Sequence, residues 1–280
     1  MQTITPNHIR ALFKLLETES GQTRAVLKQA LASAIQLNPQ GVEQVLAEDF
    51  PQQAPREIIH TLEEICWEDL SISLANFASK INPDLEEGLS LLAKFSSPTT
   101  ARGKITGPLD ALAAELRPAL INSKNCREAA REISRFIFDL QQFKLVPAAR
   151  SVKELSFPYF LRKKQGSALC LACLYFALGQ RYGMDIEIAD LAGRIVLFVQ
   201  DKTHNDSFFI DPLDNGKLIT QDECSAYLQA RDLSKEKDLT ILSSRLIVRR
   251  FLANMIFILN RLRDGRRLTY VRNYLEILKN

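Results

Sequence analysis

The stretch Lys163–Ile188 reads KKQGSALCLACLYFALGQRYGMDIEI: a basic lead, a glycine, a serine, then a small, apolar, helix-like run that holds Cys170 and Cys173. A cysteine near a helix N-terminus is a layout for nucleophilic catalysis, because the helix dipole and the free first-turn amides favour the thiolate. Such a thiol needs a histidine to accept its proton and an Asp or Asn to orient that histidine. Only three histidines occur. His8 and His60 fall on predicted helices outside this block, and His204 lies in the polar turn KTHND, where a solvated side chain is the plain expectation. Ser167 is placed to cap the helix through its first-turn amides. Cys170 and Cys173 sit among small apolar neighbours, which suits buried core residues as well as it suits reactive ones.

The remaining cysteines are Cys66, Cys126 and Cys224. The total is odd, the spacings fit no disulfide framework, and Cys170-x-x-Cys173 has no second pair to complete a zinc site. Reduced thiols in a cytosolic protein are expected, with no metal and no cofactor. The segment MQTITPNHIRALFKLL lacks the apolar core of an export signal. No 18-residue apolar run suggests a membrane span.

Period-3.6 patterning runs through most of the chain. HIRALFKLLE aligns Ile9, Leu12, Phe13 and Leu16, and TRAVLKQALASAI aligns Val26, Leu27, Ala30, Leu31 and Ala34, so a helical hairpin bends near Ser20-Gly21. Further helices are expected from PQGVEQVLAEDF, from the segment through Trp67, and over Leu85–Phe95. SSPTTARGKITGP reads as a turn-rich break, after which helices continue from Leu109 to about Phe143. The segment FKLVPAARSVKELSFPYFLRKKQG reads as extended and proline-marked. IEIADLAGRIVLFVQDKTHNDSFFIDP is β-branched with a polar turn over 201–206, hence strands joined by a hairpin. Thr220 with Glu223 is a capping box for a helix over LITQDECSAYLQA. Two helices broken at Asp264-Gly265 complete the chain. The fold class is α+β, predominantly helical, with one small antiparallel sheet.

In order and spacing, GSALCLACLY, AGRIVLFV and FIDPLDNGKLIT resemble the phrases of a bacterial transglutaminase-like family that includes the SirB invasion regulator. The helices around WEDL and DLEEGLSLLAKF resemble that family's N-terminal part. The ending ANMIFILNRLRDGRRLTYVRNYLEIL is similar to the start of a tetratricopeptide-type hairpin. The resemblance implies a transglutaminase-like (papain-like) core at 151–240, a helical part of it at 56–150, an N-terminal hairpin region at 1–55 and a tetratricopeptide-like hairpin at 241–280. It also implies a bacterial, cytoplasmic protein. The nucleophile position of active relatives falls on Ala168, and the histidine position falls on Arg194. Only the acid is kept, as Asp211, although IDPLDNG is also good turn sequence. A guanidinium cannot act as a base near neutral pH. Arg194 is therefore expected to pair with Asp211 across the former cleft and tie the sheet to the cysteine helix, or else to bind an anion there.

From Arg245 onward the chain carries nine basic and two acidic side chains, a formal +7, against −4 for the rest. Arg245, Arg249, Arg250, Arg261, Arg263, Arg266 and Arg267 could face nucleic acid or an acidic surface, or could pair with the acidic remainder of the chain. Three functions follow. The first is a non-catalytic interaction or regulatory module with a protein partner. The second is a cysteine-dependent amidase, protease or transamidase using a displaced Cys170, whose base no residue obviously supplies. The third is a basic module associated with nucleic acid.

Overall fold

The computed structural model describes residues 4–96, 103–146, 149–231, 233 and 239–279. It is α+β and predominantly helical. Three short helices lead: α1 (Pro6–Thr18), α2 (Gly21–Leu37) and α3 (Pro39–Asp49). Thr5 and His8 form a reciprocal capping box at the start of α1, so His8 has a local, structural role. Ile9, Phe13 and Leu16 bury the inner face of that helix.

The 24-residue α4 (Arg56–Ser79) joins two cores. Its Ile58, Leu62 and Ile65 close the first core with α1–α3. Its Trp67, Leu70, Leu74 and Phe77 enter the larger core, which holds most of the later helices. Trp67 is fully buried and its indole N–H donates to the Phe95 carbonyl at 3.1 Å. That carbonyl lies on α5 (Leu85–Ser96).

α6 (Gly103–Leu120) and α7 (Cys126–Ser134, continued by one π-helical turn to Leu140) follow. α6 starts at Gly103, inside the stretch read from sequence as a break; the rest of that stretch, 97–102, lies outside the described residues. A second correction concerns the segment read as extended. After a short strand β1 (Lys144–Leu145) it forms the 3-10 turn Val152–Leu155 and the helix α8 (Phe157–Lys163). Pro158 sits in the first turn of α8, where a missing N–H costs nothing. Strand β2 (Gln165–Gly166) pairs with β1 in parallel and delivers the chain to α9 (Ala168–Arg181).

Ten of the 14 residues of α9 are buried, as befits a helix apolar on every side. Gly179 lets it lie close to the sheet, since a Cβ there would stand 3.2 Å from Ile186. The sheet contains β3 (Asp185–Leu191), β4 (Arg194–Asp201), β5 (Asp206–Asp211), β6 (Lys217–Ile219) and β7 (Leu239–Ile241). Its order is β6-β5-β4-β3-β7, and every neighbouring pair is antiparallel. The β3–β4 link is the two-residue turn Ala192-Gly193, both at positive φ (49° and 89°), the geometry that matches strand twist. Asp190 steadies it by accepting from the Gly193 N–H at 2.6 Å.

Side chains alternate between the two faces of the sheet. Ile195, Leu197, Val199, Phe208 and Ile210 join the core that contains α9. Val196 and Phe209 join a smaller core under α10 (Gln221–Gln229), with Cys224 and Leu228. The Thr220–Glu223 capping box starts α10. Last come α11 (Ser244–Leu262) and α12 (Gly265–Ile277), which turn at Arg263 and Asp264. Their apolar faces belong to the larger core, and the buried Tyr274 hydroxyl donates to the Trp67 carbonyl at 2.8 Å.

Candidate functional site

The N-terminus of α9 is built by its own sequence. Ser167 is the N-cap, and its Oγ accepts from the Cys170 N–H at 3.3 Å. The same hydroxyl donates to Cys170 Sγ at 3.5 Å. Ala168, half-buried, occupies the first helical position. It has no functional group, so the place expected of a nucleophile is chemically empty.

Cys170 is fully buried. Gly166 passes so close that an added Cβ would stand 3.1 Å from Cys170 Cβ and 2.5 Å from the Phe160 ring. The Gly166 backbone therefore packs against both the Cys170 side chain and that ring, and forms part of the lid over this buried residue. Burial pushes the Cys170 thiol up to about 11, and its contacts with Ser167 offset only part of that shift. Burial pushes Cys173, one turn on, well above the usual thiol range. A cleft of about 290 Å³ does open at this helix end, but it is lined by Arg150, Glu154, Tyr159 and Ser167 among others, not by Cys170.

The antiparallel order brings the start of β4 and the end of β5 together, and Arg194 and Asp211 stand there as an ion pair. Asp211 is almost fully buried, while the Arg194 side chain is 35 % exposed. The other Asp211 oxygen accepts from the Leu213 N–H at 2.9 Å and so starts the turn Pro212–Asp214. Both the pairing and the turn-initiating role therefore coexist in this one carboxylate.

The face is not the expected one. Arg194 and Asp211 share strand parity with Val196 and Phe209, so they lie on the α10 side of the sheet. The guanidinium stands 6.0 Å from the Tyr227 ring of α10. The pair ties β4 and β5 together beneath α10, and the expectation that it binds the sheet to α9 is corrected. Arg194 Nε is buried without a hydrogen-bond partner.

Sequence reasoning missed a second polar cluster, at the opposite end of β4. Asp201 accepts from the Cys126 N–H at 3.0 Å, from the His204 N–H at 3.1 Å, and stands 2.9 Å from His204 Nδ1. These bonds, the Cys126 amide first, hold the Asp201 carboxyl down at about 2. His204 is an exposed turn residue, as expected, and its ring also meets Asp201. The carboxylate also works against a thiolate: burial first, then Asp201, pushes Cys126 up to about 11. The D-x-x-H spacing across a hairpin was the available signal, but the Cys126 partner comes from a helix 75 residues away.

The C-terminal arginines are largely engaged within the chain. Arg250 pairs with Asp190, Arg266 with Glu63 at 2.9 Å and Glu64 at 3.3 Å, and Arg267 with Glu63 at 2.5 Å. Arg245 and Arg261 donate to the carbonyls of Lys80 and Ala149. Arg249 Nε is buried and unpartnered, and Arg263 caps α11 at positive φ with its side chain exposed. Among the described residues no group of three or more His, Cys, Asp or Glu side chains could hold a metal ion, and no helix is long and apolar enough to cross a membrane.

The family model described as the transglutaminase-like superfamily matches residues 104–253. The chain belongs to the transglutaminase-like superfamily. The matched span runs from α6 to the middle of α11, so α9, the strands β3–β7 and α10 all lie inside the transglutaminase-like part. No curated protein and no solved structure shows significant similarity to the chain.

Proposed function

We propose that this chain is a non-catalytic transglutaminase-like protein of the SirB type, serving as a protein-interaction or regulatory module. The observation that carries this reading is the enclosure of Cys170: no solvent reaches it, and burial holds it as the neutral thiol. The thiolate is the nucleophilic form, and a thiol held near 11 supplies almost none at neutral pH. Ala168 and Arg194, at the positions where relatives would carry nucleophile and base, support the same reading. Five free thiols fit a reducing, cytoplasmic setting.

The direct test is turnover. Purified chain is assayed with fluorogenic amide substrates and with a glutamine-donor transamidation pair, beside a Cys170→Ala variant. The reading expects no difference between the two proteins. Wild-type turnover that Cys170→Ala abolishes would overturn it and establish the displaced-nucleophile enzyme instead.

A further inference from the structure

Two concavities outside the family-matched span lie side by side. An open groove of about 730 Å³ lies between the start of α4 and the α11–α12 turn. It is lined by Arg56, Arg263, Arg266 and Arg267, opposed only by Glu63 and Asp264. A second cavity of about 380 Å³ lies between α2, α3 and α4, walled by Ile35, Val42, Leu46, Phe50 and Leu62. Gln53, Ile59 and Glu63 line both, so the apolar cavity borders the basic groove.

The charges in the groove differ in availability. Glu63 is taken by both Arg266 and Arg267, which also stack near the Trp67 ring at 4.8 and 5.8 Å. Those two arginines form a fixed floor. Arg56 and Arg263 are exposed and make no ion pair among the described residues; Arg56 donates only to His60, at 3.4 Å. A concave site of one sign focuses its field and attracts counter-charge.

We infer that these adjoining concavities bind a peptide segment of a protein partner in which apolar side chains lie next to acidic ones, the apolar part entering the α2–α4 cavity and the carboxylates meeting Arg56 and Arg263. The inference rests on the reading of the chain as an interaction module and names its surface. Charge complementarity selects the acidic end, and the apolar wall selects the rest. A single-stranded nucleic acid would want a row of aromatic platforms, and the rings lining the two cavities are only Phe50 and the His60 imidazole, one in each. A small amphiphile would be poorly enclosed, because ligand pockets bury most of a small ligand and this groove lies open along its basic half.

The test uses the full chain, immobilised, and a random 12-residue peptide display library, in parallel with an Arg56→Ala/Arg263→Ala variant. Neither arginine contributes an ion pair, so the variant is expected to unfold with the wild type in urea, which is checked first. The inference expects enriched peptides with Asp or Glu beside Leu, Ile, Val or Phe, and at least about tenfold weaker binding to the variant. No enrichment, enrichment indifferent to the variant, or enrichment of basic peptides would overturn it. A uridine 20-mer is the control arm: tight, salt-sensitive binding lost in the same variant would assign the arginines to phosphates and overturn it too. Either failure leaves the turnover test of the non-catalytic reading unaffected, so the two ideas fall separately.

Discussion

Arg194→Ala removes the counter-charge from a carboxylate that has almost no contact with water. Asp211 would keep one hydrogen bond, from the Leu213 N–H. Breaking a fully buried ion pair by deleting one partner costs about 3–5 kcal/mol. Here the arginine side chain is 35 % exposed, so water would partly replace it, and the cost falls to about 2 kcal/mol. Asp211→Ala should cost a similar amount, because it strands a partly buried guanidinium and uncaps the Pro212–Asp214 turn. The double variant should be more stable than additivity requires, by about 1 kcal/mol. Urea unfolding of the four proteins supplies the cycle, with m-values compared to check that the transition is the same. Hydrogen exchange supplies the location: β4, β5 and α10 should loosen, while α9 keeps its protection. The reasoning fails if the two single losses add within about 0.5 kcal/mol, or if α9 is the element that loosens.

Two more perturbations follow from the packing. Gly166→Ala would push a methyl group against the buried Phe160 ring, already packed on Phe143 and Phe157, and overpacking of that kind costs about 1–3 kcal/mol; thermal unfolding measures it, and an unchanged midpoint would show that the lid over Cys170 is loose. Asp201 has a folded carboxyl held at about 2, below its unfolded value near 3.9, so its contribution is complete above about pH 4 and is lost as pH falls through 2. Asp201→Asn should therefore remove up to about 2 kcal/mol at neutral pH and flatten the acid limb of a stability–pH profile; an acid limb identical to the wild type's would contradict that role.

What could be read from sequence was what is encoded locally. Ser167 caps α9 and Thr220–Glu223 caps α10 because N-cap hydrogen bonds span three residues. The break at Asp264-Gly265 and the polar turn before Asp206 are equally local. The order of the phrases GSALCLACLY, AGRIVLFV and FIDP was enough to point to the superfamily. Four things were not legible. Strand parity decides whether Arg194 looks toward α9 or α10, and a one-residue difference in strand start inverts the answer. FPYFLRK folds as a helix because Pro158 falls in its first turn, where proline is tolerated, and sequence alone read the proline as a mark of extended chain. That the tail's arginines could pair with the acidic remainder was legible, but their partners, Asp190, Glu63 and Glu64, were not, because they lie far back in the chain. The Cys126–Asp201–His204 cluster was hidden for the same reason.

The central claim is that the thiol at the start of α9 is not a nucleophile, and site-resolved alkylation measures that directly. Native protein and urea-unfolded protein are treated with iodoacetamide at pH 7, and labelling of Cys170 is followed by peptide mass spectrometry. A thiol held at about 11 is ionised to about one part in 10⁴ at that pH, against about 3 % for an unperturbed thiol near 8.5. Ionisation alone slows native labelling about 300-fold, and enclosure beneath Gly166 and Phe160 slows it further. The account predicts Cys170 labelling at least about 300 times slower in the native protein than in the unfolded one. Native labelling as fast as, or faster than, the unfolded control would contradict it.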